Sequence, residues 1–443
     1  MSNSISKEPL VKVGILSSET ISFELLGAYR CDDAEWSGPQ TVTVADGKVM
    51  WQGAAYDSLY FTAANDESTF CLHDVVIGIN FHWERKEDQR FAGDLSIIVE
   101  DGRLTAVNVL PVESYLASVI SSEMSANASL ELLKAHAVIS RSWLLAQIIK
   151  HERISSSGNL YDASTVTDEE IVRWYDREDH VNFHVCADDH CQRYQGITRQ
   201  TTAAVAQAVE ETRGEVLTYD DELCDARFSK CCGGVFEEFE YCWEPRHYDY
   251  LEARRDAANE YRFPDLRVEE KAVEWIERRP DAFCNTEDKE ILSQVLNNYD
   301  QETHDFFRWE VTYSRDELAA IVRERSGIDF GDIIDLKPMT RGTSGRLSRL
   351  MIVGTRRTMI IGKELEIRRT LSTSHLRSSA FTVERKAIDP DTGVPGQITL
   401  RGAGWGHGVG LCQIGAAVMG ARGYDYRRIL AHYFANAEIS VYY

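Results

Sequence analysis

The hydrophobic pattern changes its period at Pro111, and that change constrains the fold more than any other feature. Before it, residues 9 to about 110 alternate apolar and polar, as in Val11-Lys12-Val13-Gly14-Ile15-Leu16, Thr41-Val42-Thr43-Val44 and Leu95-Ser96-Ile97-Ile98-Val99. Asp46-Gly47 and Asp101-Gly102 separate such runs. Alternation reads as half-buried strands, and these dipeptides read as turns. After Pro111, the apolar residues Val112, Tyr115, Leu116, Val119 and Ile120 recur at i, i+3, i+4, i+7 and i+8. That is one face of a helix, with proline near its first turn. The chain therefore predicts an α+β fold, with a central helical region flanked by β-rich parts.

The rest of the chain fills in this frame. A second helix runs from about 130 to 150, apolar over much of its circumference and hence largely buried. Residues 199–212 predict a third helix and residues 215–219 a strand. Residues 251–305 are highly charged, with helical stretches at 268–278 and 289–297, and read as an insertion packed on the outside. A short helix is expected at 316–325, and the Gly-rich segment 402–410 precedes helices at 411–421 and 426–434. The 443 residues suit two or three units at about 150 residues each. We divide them into a β-rich subdomain at 9–110, a helical catalytic subdomain with a Cys/His loop at 111–214, and a mixed α/β subdomain at 215–443 that includes the insertion.

Charge and composition narrow the partners. A net charge of −23 repels nucleic acid and anionic lipid, so neither is an expected partner. No apolar run approaches the roughly 18 residues that cross a bilayer. Residues 1–9 have no hydrophobic stretch of the signal-peptide kind, so no signal peptide is expected in this form of the chain. Ten cysteines are too few for a small disulfide scaffold, but they cluster at 186 and 191 and at 224, 231, 232 and 242. Such clusters suit metal ligation or disulfides, and they leave the compartment open.

Five constellations could carry chemistry. Glu123 lies eleven residues after Val112, on the same helical face. It is either a helix-end residue reaching water or a desolvated acid whose raised pKa suits general acid work. Lys134 and Arg141 lie seven apart on the next helix. They either snorkel to water or hold an anionic or hydroxyl-rich ligand near Glu123. His136 reads as a packed histidine. His180, Cys186 and Cys191, with His184 and His190 beside them, could bind zinc from one loop, form a disulfide or remain free thiols. Ser229-Lys230-Cys231-Cys232-Gly233-Gly234 combines a tight turn with structural thiols. The segment Gly402 to Gly410 fits no dinucleotide or P-loop pattern. It offers Trp405 as a flat face for a sugar and His407 beside a helix N-terminus. No paired carboxylate of the common glycosidase kind is identifiable.

Several of these segments resemble one family. Leu110-Pro111-Val112-Glu113-Ser114-Tyr115-Leu116, Ser122-Glu123-Met124 and the run Leu133 to Arg141 are similar to the core of the stage II sporulation protein D family, which includes the amidase enhancers. Val185 to Tyr194 and Gly404 to Gly410 resemble its later motifs. The family's usual Pro after Glu-Met is Ser125 here, and its Ser-rich stretch before the Gly pair is Lys230-Cys231-Cys232. The resemblance implies a peptidoglycan lytic transglycosylase that cleaves the linkage between N-acetylmuramic acid and N-acetylglucosamine in stem-free glycan. Glu123 would be its general acid and base, and the products would have 1,6-anhydro ends. It implies substrate contacts from Lys134, Arg141, Tyr194, Trp405, His407 and Gln413, and zinc on His180, Cys186 and Cys191. No organic cofactor is expected. It also implies a cell-envelope location and a cell-wall amidase as partner. The alternatives are a non-catalytic glycan-binding enhancer of that amidase and a zinc-dependent hydrolase built on the Cys/His loop.

Overall fold

Strands fill the chain up to Pro111, where the alternation ends. The computed structural model describes residues 7–78, 85–125, 127–157, 164–174, 180–188, 190–198, 201–258, 262–295 and 305–443, with the side chains of 154–157 excepted. Among these, ten strands between Leu10 and Pro111 and the short strand Val185–Cys186 form one eleven-stranded sheet. Leu10–Ser18 lies inside it, antiparallel to Arg103–Pro111 on one side and parallel to Val185–Cys186 on the other. The predicted turns hold: Asp46, Gly47, Asp101 and Gly102 all have positive φ, as two-residue hairpin loops require. Phe23, Phe61, Phe70 and Phe91 are buried on one face of the sheet.

Helix α1, Val112–Glu123, begins where expected, with extended Pro111 as its N-cap. Its Val112, Leu116 and Val119 join the core of the sheet. Helix α2, Leu130–Ser157, is longer than predicted. It serves two cores: Trp143, Leu144 and Leu145 meet the sheet, while Leu132, Leu133 and Val138 meet a second cluster with Ile414, Val418 and Leu430. This double duty explains its apolar circumference. Helix α3, Ala203–Glu211, is capped by Thr202, whose side chain accepts the Val205 N–H.

Residues 251–305 depart from the expectation of an outer insertion. Phe283, Leu292 and Val295 sit in the same core as Leu132 and Ile414. The charged residues of the helices Glu269–Glu277 and Lys289–Val295 occupy outer faces, while Ala272, Ile276, Leu292 and Val295 point inward. Sparse apolar residues on one face suffice to bury such helices. The predicted helical end at 296–297 lies outside the described residues. A third core surrounds the helix Arg315–Ser326 and the strands that follow it. Ser164–Val166 and Glu170–Arg173, placed by sequence within the helical stretch 111–214, join this C-terminal part through Thr358–Gly362. The fold is α+β, and no described helix is long and apolar enough to cross a membrane.

Candidate active site and candidate metal centre

Glu123 is the last residue of α1 and is half-buried. The helix stops there because Met124 turns extended, its N–H still bonded to the Ile120 carbonyl. One carboxylate oxygen of Glu123 accepts the Arg193 N–H at 3.3 Å. The segment after the acid is tied down in turn: the Ser125 N–H donates to the Gln294 carbonyl at 3.0 Å.

Arg193 belongs to the Cys/His loop, which hangs from the edge of the sheet. Val185 and Cys186 pair with Val13 and Gly14, and the Ala187 N–H reaches the Gly14 carbonyl at 3.0 Å. This places His180, Cys186, His190 and Cys191 with one donor atom each, all within 4.8 Å of one another. Cys191 Sγ lies 3.6 Å from His180 Nε2 and 3.5 Å from His190 Nδ1. The three expected ligands are together, and the structure adds His190, which the sequence reading put only beside them. Two imidazoles and two sulfurs are a donor set that zinc takes tetrahedrally. The hydrogen bond to Cys191, followed by burial, pushes the Cys186 thiol up. A cation here would reverse that by holding both sulfurs as thiolates. A cavity of about 250 Å³ adjoins the cluster, lined by Gly14, Val75, Gln89, His190 and Arg193 among others.

The Gly-rich loop is built around a buried arginine. Gly404, Gly406, Gly408 and Gly410 all have positive φ, from 71° to 90°, a conformation that side chains resist. Beneath them lies the buried Arg346, whose guanidinium donates to the carbonyls of Gly406 and Cys232, each at 3.0 Å. A Cβ on Gly408 would meet that guanidinium at 2.5 Å. Trp405 exchanges backbone hydrogen bonds with Cys231 and stacks on Phe306 at 5.1 Å. It is half-buried and packs against the same core that holds Met124. His407 Nδ1 accepts the Val409 N–H at 3.0 Å, and its ring meets Trp243 edge-on. Burial, then the Arg227 and Arg346 cations, hold this imidazole well below its ordinary value. His407 is thus neutral, and its other ring nitrogen donates to the Phe228 carbonyl, so the ligand contact expected of it is engaged within the fold. A two-residue strand, Leu411–Cys412, separates the loop from the helix Gln413–Ala421.

Four other expected ligand contacts are likewise engaged elsewhere. Arg141 is fully buried and grips Glu113 through Nε at 3.0 Å and Nη2 at 2.6 Å, while Nη1 donates to the Glu215 carbonyl. Lys134 pairs with Glu211 at 2.6 Å and Glu131 at 3.4 Å. Tyr194 is a core residue, stacked on Tyr115 and donating to Asn108 at 2.6 Å. Gln413 is buried and bonds His136 at 3.2 Å. The first two carry the face that the sequence assigned them, but carboxylates from distant segments already satisfy them. His136 is packed, as expected, with no exposed surface. Residues 229–234 are structural too: a second buried cluster gathers Cys232, Asp256, Cys284 and Cys412. Spacing could not reveal it, because its members come from four separate segments.

A stage II sporulation protein domain (SpoIID) matches residues 100–219, which contain α1, α2, α3 and the Cys/His loop. A domain of unknown function (DUF8618) matches residues 237–410. An uncharacterized protein of Brachyspira hyodysenteriae is 24% identical over 352 residues, covering 80% of this chain and 73% of that protein. Stage II sporulation protein D of Bacillus amyloliquefaciens is 22% identical, covering 76% of each chain. The amidase enhancer of Bacillus subtilis is 23% identical, covering 74% of this chain and 40% of that protein.

Proposed function

We propose, from the premise that this chain carries a stage II sporulation protein domain and resembles stage II sporulation protein D over most of its length, that it works on the bacterial cell wall. Its reaction on this reading is lytic cleavage of stem-free peptidoglycan glycan. The observation that supports it is the half-buried Glu123, ending α1 with its carboxylate oriented by the Arg193 N–H of the Cys/His loop.

Glu123 in its protonated form donates to the oxygen between N-acetylmuramic acid and N-acetylglucosamine. The oxocarbenium-like centre is then closed by the muramic C6 hydroxyl, which gives its proton to the same carboxylate. One carboxyl serves both steps because no water has to be activated. Trp405, with Phe306 and Arg377 already against its ring, offers the half-buried ring edge against which a sugar could rest. Zinc on His180, Cys186, His190 and Cys191 would fix the loop that holds Arg193 against Glu123. Four protein donors close a tetrahedral site, and closed zinc sites are structural whereas catalytic ones keep an open position. This argues against the zinc-dependent hydrolase.

Glu123→Gln is expected to cut the rate of strand cleavage by about 10²–10⁴-fold, with an unchanged urea midpoint. Mass spectrometry of stem-free glycan after incubation reads the anhydro ends directly. Undiminished anhydro product from the variant would refute the assignment. A second reading, a glycan-binding enhancer that cuts nothing, is favoured by the similarity to an amidase enhancer. Wild-type protein that forms no anhydro ends yet accelerates a cell-wall amidase would establish it in place of the first.

A further inference from the structure

We propose that Cys232, Cys284 and Cys412, together with the Asp256 carboxylate, form a second metal site for one divalent, thiophilic cation of the zinc class. It is separate from the Cys/His loop and does not depend on the proposed reaction.

The geometry suits such an ion. The four donor atoms all lie within 4.8 Å of one another, and all four residues are buried. Cys232 Sγ lies 3.5 Å from Cys284 Sγ and 3.6 Å from Asp256 Oδ2. A tetrahedral zinc with bonds of about 2.3 Å to sulfur and about 2.0 Å to oxygen separates sulfurs by about 3.8 Å and sulfur from oxygen by about 3.5 Å. The observed spacing is close to that of a coordination shell, and all ten cysteines are free thiols. Cys231 adds a further thiol in contact with Cys284 and Cys412.

The surroundings of the donors are those of a built site. Asp256 has no exposed surface. Its Oδ1 accepts the Tyr433 hydroxyl at 3.0 Å and faces His432 Nε2 at 3.4 Å, while Oδ2 takes the Cys284 N–H at 2.9 Å and faces the sulfurs. Partners that orient a ligand from behind are the usual outer shell of a metal centre. Cys412 Sγ accepts the Cys232 N–H at 3.2 Å, and Cys232 Sγ accepts the Gly234 N–H at 3.4 Å. These N–H groups favour thiolates. A carboxylate in a dry interior is costly without a countercharge, and a divalent cation supplies two positive charges against the carboxylate and the thiolates it holds.

The site would also have a mechanical role. Asp256 and Cys284 come from the 251–305 stretch, Cys232 from the Gly-pair turn and Cys412 from the short strand that follows the Gly-rich loop. One ion would fasten all three, and Cys231 beside it holds Trp405 by paired backbone hydrogen bonds.

The test uses the full chain, purified reduced, with the first cluster removed by Cys186→Ser/Cys191→Ser. Elemental analysis after equilibration with zinc is expected to give one zinc per chain, whatever the wild type holds. Cobalt in its place is expected to show thiolate-to-metal charge transfer. No zinc and no cobalt in that variant would overturn the proposal. So would a disulfide joining any two of Cys231, Cys232, Cys284 and Cys412 in a non-reduced peptide map. Should that variant not fold, native mass spectrometry of the wild type against Cys284→Ser decides: loss of one zinc supports the site, and equal zinc content overturns it. Failure of the Cys/His loop to bind metal shows only as a wild type with one zinc, which keeps the two readings distinguishable.

Discussion

Arg141 is clamped by both oxygens of Glu113, and Glu113 also accepts the Gly214 N–H and the Tyr443 hydroxyl. The pair is dry, so removing one partner strands the other charge. Arg141→Met is expected to lose about 3–5 kcal/mol of stability. The double variant Arg141→Met/Glu113→Leu should recover much of it, because two apolar residues leave no orphan charge. Urea unfolding measures both, and a single variant that melts with the wild type would remove the pair from the list of structural anchors. This residue also marks how far periodicity reaches. Helical spacing put Glu123 at the end of the buried stripe and Lys134 and Arg141 on one face, which is where they are. It could not name their partners, because Glu113 lies 28 positions from Arg141 and Glu211 lies on another helix. Charge left water or a ligand as the partner of these cations, where the fold supplies carboxylates.

The elements around the candidate site depend on close approach. Gly14 lies where the Cys/His loop crosses the sheet edge, and a Cβ there would meet the Phe183 ring at 2.6 Å. Phe183 packs on the His180 ring at 4.7 Å. Gly14→Ala is therefore expected to push Phe183 toward a proposed ligand. It should destabilise by about 1–3 kcal/mol and weaken zinc retention, read by urea titration and by competition with a chromophoric chelator. Unchanged values in both would show that Phe183 moves without cost. Elements with strong periodicity were legible from residue order: α1, the strand Glu215–Tyr219 and the helix Arg315–Ser326 lie where the pattern puts them. The 251–305 stretch reads as an outer insertion because its many charged residues outweigh the few apolar ones that form its buried face.

At the scale of the molecule, the buried His136 couples folding to acidity. Gln413 donates to its Nε2 and its Nδ1 bonds Ser140, so the neutral ring is the one that fits. Burial, then the Lys230 cation, pull it down to about 3. The unfolded chain, with a histidine near 6.5, binds the proton first, so stability falls as pH drops from about 6.5 toward about 3. The slope is up to about 1.4 kcal/mol per pH unit from this group. His136→Gln is expected to flatten that part of the profile, as followed by thermal melts from pH 7 to pH 3; parallel profiles would exclude His136 as the coupling group. A different consequence follows from the place of Leu10–Ser18 within its sheet. Its partners, Arg103–Pro111 and Val185–Cys186, are synthesised much later. At about 5–20 residues per second, the wait for even the nearer of them, some 90 residues on, lasts about 5–20 s. Throughout that interval the segment has neither partner, so its backbone stays open to pairing with other chains until the sheet can close.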